Sequence, residues 1–223
     1  MKLGVIAALQ TELGPTLHAL KPASRRVEHL TCYAADPFVF TAGGIGSRQA
    51  AAASLLVADT FKPDALVSVG FCGALRDDFD TGELIVGGTT THPADAAIVD
   101  LARASAPKAR DGTVLTVPKV LLGADEKKAA ASRTGAAVVD MEADAVAVAA
   151  RARGLAFLSV KVVIDTPAEP LASIYAGCWR VLLDVLSNPM TIGQMIYDSK
   201  RVKLAADRLR DFFVALKDKL PAA

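Results

Sequence analysis

The sequence predicts a single α/β domain over residues 1–223, built on a buried sheet with helices on both faces. First, short and almost wholly apolar runs of strand length recur along the chain. Second, segments with the three- to four-residue apolar spacing of helices separate these runs. Third, hydrophobic residues make up 52% of the chain and charged residues 22%, which is typical of a globular protein and not of a disordered one.

The first half of the chain is predicted to alternate strands with helices. Asp36 and Pro37 separate two apolar runs, as expected of a turn, and Ser47 is a suitable N-cap for the helix that follows the second run. The predicted elements, in order, are a strand at 2–9, a helix at 11–20, strands at 29–35 and 38–44, a helix at 46–61, and a strand at 64–70 that ends in a GFCGAL turn.

The second half continues the alternation as far as Asp165. The segment 93–112 is polar and alanine-rich, and its pattern assigns it to neither state. The predicted elements, in order, are strands at 82–91 and 112–117, a helix from about Asp125, a strand at 136–140, a helix from about Glu142, and a strand at 155–165.

Residues 171–220 are predicted to form a helical C-terminal extension, interrupted at Asn188 and Pro189. Beyond the break, one apolar stripe comprises Ile192, Met195, Ile196, Val202, Ala205, Ala206, Leu209, Phe212, Phe213 and Leu216. We favour a helix packed on the sheet. The alternative is a peripheral membrane contact, or contact with an apolar substrate, through this stripe and the basic residues beside it, which are Lys200, Arg201, Lys203, Arg208 and Arg210.

Composition excludes several classes of function. The formal net charge of +1 lacks the basic excess of a nucleic-acid-binding surface. The three cysteines are odd in number and lack metal-ligand spacing, which indicates reduced thiols in a cytosol. The N-terminus has no signal-peptide pattern, and no apolar run reaches the ~20 residues of a membrane span. We therefore expect a cytoplasmic protein without a metal site or a nucleic-acid partner.

Carboxylates stand at the ends of several predicted strands. Glu12 lies beyond the first strand, Asp140 and Glu142 stand where a strand passes into a helix, and Asp165 ends the last strand. Polar residues at the carboxyl ends of strands build the sites of α/β folds. Acids gathered in one dry crevice raise one another's pKa, which suits acid–base chemistry near neutral pH.

Each acid, taken alone, also has a structural explanation. Asp140 could cap a helix, and Glu142 could be a first-turn acid stabilised by the helix dipole. Glu12 could be an exposed first-turn acid, and Asp165 could start a loop. Other site motifs are absent from the sequence: the glycines at 43–46 do not match G-x-G-x-x-G, there is no Walker pattern, and no histidine lies near an elbow-like serine motif.

Six stretches in a fixed order resemble the nucleoside phosphorylase and nucleosidase superfamily, which includes methylthioadenosine/S-adenosylhomocysteine nucleosidase. They are MKLGVIAALQTEL, TAGGIGSRQAAAA, KPDALVSVGFCGAL, TGELIV, VVDMEADAVA and FLSVKVVIDTPAE, and they span residues 1 to about 168. The resemblance implies a three-layer α/β/α sandwich with a mixed central sheet. The cysteine in GFCGAL, the compact middle segment and the helical tail are most similar to the hopanoid-associated phosphorylase group, thought to remove adenine from adenosylhopane.

The resemblance also implies roles for the acids. Glu142 matches the glutamate that binds the ribose 2′ and 3′ hydroxyls, and Met141 the methionine that packs against the sugar. Asp165 matches the aspartate that protonates or hydrogen-bonds purine N7. Glu12 matches the acid that deprotonates the attacking water. Asp140 is expected to brace the turn.

The remaining predicted contacts line the substrate. The resemblance implies that the turn at 70–73, through Phe71, Cys72 and Gly73, lines the sugar and the nucleophile, and that Val120 and Leu121 contact the purine. Two positions depart from the family, which often has serine or threonine at Phe71 and, in the nucleosidases, arginine at Lys161.

The nucleophile is left open at this stage. The G-D-P-x-R and R-x-G-T-x-G motifs of the phosphorylases are absent, which favours water over phosphate. Arg48, at a helix N-terminus, is the remaining candidate phosphate ligand, although a surface arginine is the simpler interpretation.

We therefore predict cleavage of the purine N-glycosidic bond of a 5′-substituted adenosine, with adenosylhopane as the leading substrate. No cofactor is expected, phosphate being the alternative co-substrate, and a homo-oligomer, preferably a dimer, is expected. The alternatives are a methylthioadenosine/S-adenosylhomocysteine nucleosidase and a nucleoside-binding protein that has lost catalysis. Retention of Glu12, Glu142 and Asp165 together argues against the latter.

Overall fold

The computed structural model describes residues 1–169 and 200–220. In this part of the chain a ten-stranded mixed sheet is flanked by helices, as the sequence predicts. The strands are β1 (Leu3–Ala7), β2 (Ala23–Val27), β3 (Leu30–Ala35), β4 (Phe38–Ala42), β5 (Ala65–Ala74), β6 (Leu84–Gly87), β7 (Arg110–Asp111), β8 (Val114–Thr116), β9 (Val138–Asp140) and β10 (Ala156–Asp165). The helices are α1 (Gln10–Leu20), α2 (Ser47–Phe61), α3 (Ala96–Ser105), α4 (Ala124–Thr134), α5 (Ala143–Ala152) and α6 (Lys200–Lys217).

The sheet has the order β2-β3-β4-β1-β5-β10-β6-β7, and β9 joins β8 to the far end of β5. Its centre is parallel, because β1 pairs in parallel with β4 and β5, and β5 pairs in parallel with β10. The pairs β2–β3, β3–β4, β6–β10 and β5–β9 are antiparallel. The carboxyl ends of β1, β5 and β10 therefore lie side by side, and β9 ends beside them.

Two apolar clusters, one on each face, hold the helices to the sheet. Helices α2 and α5 pack together on one face, around side chains such as Val57 and Val146. Helices α1, α3 and α6 pack on the other, around side chains such as Leu13, Ile98 and Leu209. The central strands are buried on both faces, which explains why most of their residues are apolar.

The apolar stripe of α6 belongs to the core, as the favoured interpretation predicts. Its seven residues from Val202 to Leu216 are buried, and the ring of Phe213 contacts Phe38, Phe40 and Phe212 with centroids 5.1–5.4 Å apart. In this structure, the described part of the stripe is therefore occupied by packing in the core. Residues 171–199, including Ile192, Met195 and Ile196, lie outside the described residues. None of the described helices combines the length and the apolar character needed to cross a bilayer.

Several local predictions are wrong. Strand β2 is absent from the predicted elements, and the unassigned segment 93–112 contains α3 and β7. The GFCGAL stretch is not a turn, because β5 continues through it to Ala74. Ser47 is not the N-cap of α2: Gly46 holds that position, and the Ser47 hydroxyl donates a hydrogen bond to the Met141 carbonyl oxygen at 3.2 Å.

Candidate active site

One pocket opens where β1, β5, β9 and β10 end. All nine residues that the resemblance assigns to the site line it: Glu12, Phe71, Cys72, Gly73, Val120, Leu121, Met141, Glu142 and Asp165. The sequence analysis did not assign seven further lining residues to substrate contact: Ala8, Leu9, Ile45, Val117, Val139, Asp140 and Ile164. All of these except Val117 lie within the stretches that carry the resemblance, but all except Asp140 are apolar, and their residue types do not distinguish them from ordinary core residues. Arg48 is exposed and does not line the pocket.

Glu12 lies in the first turn of α1 and is buried, not exposed. Its Oε2 accepts hydrogen bonds from the backbone N–H groups of Ala8 at 2.9 Å and Leu9 at 2.8 Å, and its Oε1 accepts one from Phe71 at 2.9 Å. Burial raises the pKa of Glu12 above its ordinary value, and these hydrogen bonds oppose the shift. A fixed carboxylate with a raised pKa is suited to accept a proton near neutral pH.

Glu142 lies at the start of α5 and projects into the pocket beside Met141. Its Oε1 accepts a hydrogen bond of 2.6 Å from the backbone N–H of Gly46, which fixes the carboxylate against the glycine turn before α2. Burial and the nearby charge of Asp140 raise the pKa of Glu142 to about 7, against the opposing effect of Lys161.

Asp140 braces the turn between β9 and α5, as predicted. Its Oδ2 accepts a hydrogen bond from the Ala143 backbone N–H at 2.8 Å, and its Oδ1 accepts one from the Thr116 hydroxyl at 2.7 Å. The Oδ2 atom also forms a buried ion pair with Lys161 Nζ at 2.8 Å. These contacts hold the turn on which Met141 and Glu142 stand.

Lys161 lies on β10, fully buried beneath the acids. Its Nζ also donates a hydrogen bond to the Ser68 hydroxyl at 3.0 Å. Burial alone would lower the pKa of Lys161, but the charges of Asp140, Glu142 and Glu12 outweigh it and raise that pKa. The lysine therefore supplies a positive charge beneath Asp140, Glu142 and Glu12.

Asp165 ends β10 after an irregularity in the pairing of β10 with β5. Its Oδ2 forms an ion pair with Lys127 Nζ, and both side chains are fully buried. Gly73 lies against this pair: a Cβ there would be 2.8 Å from Asp165 Oδ1 and 2.9 Å from Lys127 Nζ. The sequence analysis missed Lys127, which approaches from α4, 38 residues away in sequence.

The walls of the pocket are apolar. Phe71, Val120 and Leu121 present hydrocarbon surface, and Cys72 is a buried free thiol. Burial raises the pKa of Cys72, which keeps this thiol neutral. An apolar pocket with a few convergent polar groups is typical of a small-molecule site.

Fold and pocket together define an α/β/α protein with an acid-lined, small-molecule site at the carboxyl ends of its strands. The chain matches the model of the phosphorylase superfamily over residues 2–92 and 87–174. The two ranges cover most of the chain, so the protein belongs to this superfamily.

Two relatives are 5′-methylthioadenosine/S-adenosylhomocysteine nucleosidases. The chain is 30% identical over 134 residues to that of Maridesulfovibrio salexigens, a match that covers 57% of each chain. It is 27% identical over 97 residues to that of Shewanella pealeana, which covers 41% of this chain and 42% of the relative. The matches thus span about half the length of these relatives.

Solved structures extend the likeness of fold to almost the whole chain. The 5′-methylthioadenosine/S-adenosylhomocysteine nucleosidase of Neisseria meningitidis, in complex with methylthio-immucillin-A, has a TM-score of 0.78 at 15% identity and covers 98% of this chain and 99% of its own. The futalosine hydrolase of Helicobacter pylori has a TM-score of 0.76 at 14% identity and covers 99% of this chain and 98% of its own. At these identities, the likeness is one of fold.

Proposed function

We propose that this protein hydrolyses the N-glycosidic bond of a 5′-substituted adenosine and releases adenine. The observation that carries the proposal is the convergence of Glu12, Glu142 and Asp165 on one apolar pocket. Glu12 and Asp165 are buried and Glu142 is half-buried, and acids removed from water in this way are costly to a fold unless they bind or react with something. Both relatives described above are nucleosidases by name, which favours a nucleoside as the substrate.

The sugar would bind at Glu142. Its carboxylate can accept hydrogen bonds from two ribose hydroxyls and so remain satisfied while charged. Met141 would pack against the sugar. Because positive charge grows on the ribose as the glycosidic bond breaks, a carboxylate here stabilises the transition state more than the bound substrate.

Water would be activated by Glu12. Three backbone N–H groups fix this carboxylate, and its pKa is raised, so it can take the proton of an attacking water at neutral pH. Phosphate is the alternative nucleophile. The exposed position of Arg48, outside the pocket lining, removes support for that residue as a phosphate ligand.

The leaving purine would be activated by Asp165. The apolar walls formed by Phe71, Val120 and Leu121 are suited to the faces of a flat ring, while Asp165 meets its polar edge at N7. A proton or a hydrogen bond at N7 makes the purine a better leaving group.

The 5′ substituent is the finer part of the proposal. The resemblance to the hopanoid-associated group implies adenosylhopane, whereas the relatives favour methylthioadenosine or S-adenosylhomocysteine. We retain adenosylhopane as the proposed substrate, with methylthioadenosine as the second candidate.

Release of free adenine is the direct test. Purified protein would be incubated with adenosylhopane, methylthioadenosine and S-adenosylhomocysteine, each with and without phosphate, and the products separated by chromatography. Hydrolysis yields adenine and the free sugar without phosphate, whereas phosphorolysis requires phosphate and yields a sugar 1-phosphate. Glu12→Gln should abolish most of the activity, and Glu28→Gln, at an exposed position, should not.

Binding without turnover would favour the third alternative. If calorimetry detects nucleoside binding but no substrate releases adenine, the protein is a nucleoside-binding protein. A preference for methylthioadenosine over adenosylhopane would favour the second candidate. Sedimentation of the same preparation tests the expected homodimer.

A further inference from the structure

We propose that Lys127 is a positioning residue for the leaving purine, acting through Asp165. This inference rests on the proposed function, because it assigns the buried lysine to the group that faces purine N7. Lys127 lies outside the six stretches that carry the family resemblance, and the resemblance assigns no role to a lysine on α4. The observation that carries it is the fully buried ion pair between Lys127 Nζ and Asp165 Oδ2 at the wall of the pocket.

The burial of this pair makes a purely stabilising role a poor explanation. Removing two charges from water costs more than their attraction commonly returns, and apolar residues of similar volume usually serve a core as well. Surface pairs on the same helix do not bear this cost: the adjacent Lys128 pairs with Asp77 at 3.4 Å, and both side chains are more than half exposed. Lys127 instead extends into the interior to reach Asp165.

The absence of a side chain at Gly73 leaves room for the ion pair. Gly73 lies so close that a Cβ would be 2.8 Å from Asp165 Oδ1 and 2.9 Å from Lys127 Nζ. A residue of any other type at 73 would displace one partner or the other. The close packing of the pair fixes the Asp165 carboxyl in one orientation while it lines the pocket.

The two buried lysines of this region contact different acids. Lys161 contacts Asp140 directly and opposes the rise in pKa of Glu12 and Glu142, so it serves the proposed sugar and nucleophile side. Lys127 contacts Asp165 and so serves the purine side. Without Lys127, an ionised Asp165 would oppose a purine that leaves with extra electrons; with it, the pair is neutral overall.

The proton balance follows from the pairing. When the C1′–N9 bond breaks, its electron pair moves to the purine, and one proton forms the N7–H bond. That proton reaches N7 from solvent by way of the Asp165 carboxyl, while the Lys127 ammonium stays paired beside that carboxyl. Glu12 takes one proton from the attacking water and returns it to solvent, so no other reactant is needed.

The test compares two substrates that differ in their leaving group. Methylthioadenosine needs help at N7, whereas 4-nitrophenyl β-riboside releases a nitrophenolate that needs no proton. Lys127→Met should lower kcat for methylthioadenosine by about 10²–10³-fold with little change in KM, and should change cleavage of the nitrophenyl riboside by less than about threefold. The matched control, Lys128→Met, removes a neighbouring exposed lysine and should change neither.

A double variant separates action through Asp165 from loss of folding. Lys127→Met alone removes the ammonium beside the buried Asp165 carboxyl, whereas Lys127→Met/Asp165→Asn removes both charges. If Lys127 acts through Asp165, the double variant should match Asp165→Asn alone, whose kcat for methylthioadenosine should fall by about 10²–10⁴-fold.

Three results would overturn the inference. One is a wild-type rate for Lys127→Met with methylthioadenosine. Another is an equal loss with both substrates, which would mark a general distortion of the pocket. The third is a double variant whose loss is the product of the two single losses. If the wild type releases adenine from none of adenosylhopane, methylthioadenosine and S-adenosylhomocysteine, the proposed function itself fails, and this inference fails with it.

Discussion

Gly70 and Glu12 share a space that has room for only one side chain. A Cβ on Gly70 would overlap the Glu12 Oε1 atom and would lie 2.8 Å from Glu12 Cδ. The backbone of Gly70 also has φ +138°, which residues with a side chain rarely adopt. The glycine at this point of β5 thus lets the carboxylate reach the backbone N–H of Phe71.

The first prediction follows from this packing. Gly70→Ala should displace the Glu12 carboxylate and lower kcat by at least about tenfold, while reducing the free energy of unfolding by about 1–3 kcal/mol because of backbone strain. Adenine release and urea unfolding measure the two effects.

Gly14→Ala is the matched control. Gly14 lies within α1, on the same helix as Glu12, and a Cβ there would meet nothing within 4 Å. Alanine is the better helix former, so this change should raise the free energy of unfolding by about 0.5–1 kcal/mol and leave activity unchanged. Equal activity of the two variants would contradict the assigned role of Gly70.

The second prediction concerns the ribose. Glu142→Gln should weaken binding of the sugar and slow bond cleavage, because the lost charge matters more in the transition state. A 2′-deoxy substrate should react much more slowly than the ribo form with the wild type, but only slightly more slowly with the variant. Rates of adenine release for the four combinations form a double-mutant cycle. Independent, multiplicative losses would mean that Glu142 does not contact the 2′ hydroxyl.

The third prediction uses the pKa of Glu142, which is raised from 4.5 to about 7. The folded protein then holds this proton more tightly than the unfolded chain does, so stability falls as pH rises from about 4.5 to 7. Glu142→Gln does not titrate. The variant should gain stability relative to the wild type over this range, by up to about 3 kcal/mol, and the difference should level off above pH 7.

Urea unfolding of both proteins between pH 4 and 8 measures this difference. Asp140, Lys161 and Glu12 interact with the charge of Glu142, so the test is the direction in which the stability difference changes with pH. A difference that does not change with pH would contradict the shifted pKa.

The three acids of the site are predictable from the sequence because each stands next to a buried strand. β1 is a continuous apolar run and β10 is mostly apolar; Glu12 lies in the first turn of the helix that follows β1, and Asp165 ends β10. Glu142 follows β9 by two residues. The parallel strands β1 and β10 bring Glu12 and Asp165 to one edge of the sheet, whereas β9 is antiparallel to β5, and the family resemblance is what assigns Glu142 to the same site.

The apolar pattern of buried strands does not predict strands that are exposed or that contain glycines. β2 has the sequence ASRRV and is largely exposed at the edge of the sheet, so it lacks the apolar pattern of a strand. In β5, Gly70 and Gly73 indicate a turn locally, yet the strand continues through both. Glycine is needed at both positions because Glu12 fills the space beside Gly70, and the Lys127–Asp165 pair fills the space beside Gly73.

Lys127 could not have been predicted from its neighbourhood. It stands next to Lys128 in a charged stretch of α4 that is typical of an exposed helix face. One lysine is fully buried against Asp165 and the other is exposed, and only the packing of α4 against the pocket distinguishes them. Ser47 is a similar case, because its hydroxyl bonds to Met141 in a distant turn and not to its own helix.

The last prediction concerns α6, whose apolar stripe also suits a membrane-binding helix in sequence. The ring of Phe213 is fully buried and packs edge-on against Phe38 and Phe40 of β4. Phe213→Ala should therefore lower the free energy of unfolding by about 3–5 kcal/mol, the cost of a large cavity in a core. The adjacent Val214 is 41% exposed, and Val214→Ala should change stability by less than about 1 kcal/mol. Urea unfolding of the two variants, without lipid, decides between the interpretations. If Phe213→Ala proves as harmless as Val214→Ala, α6 does not form part of the core in solution, and its stripe becomes available to another partner.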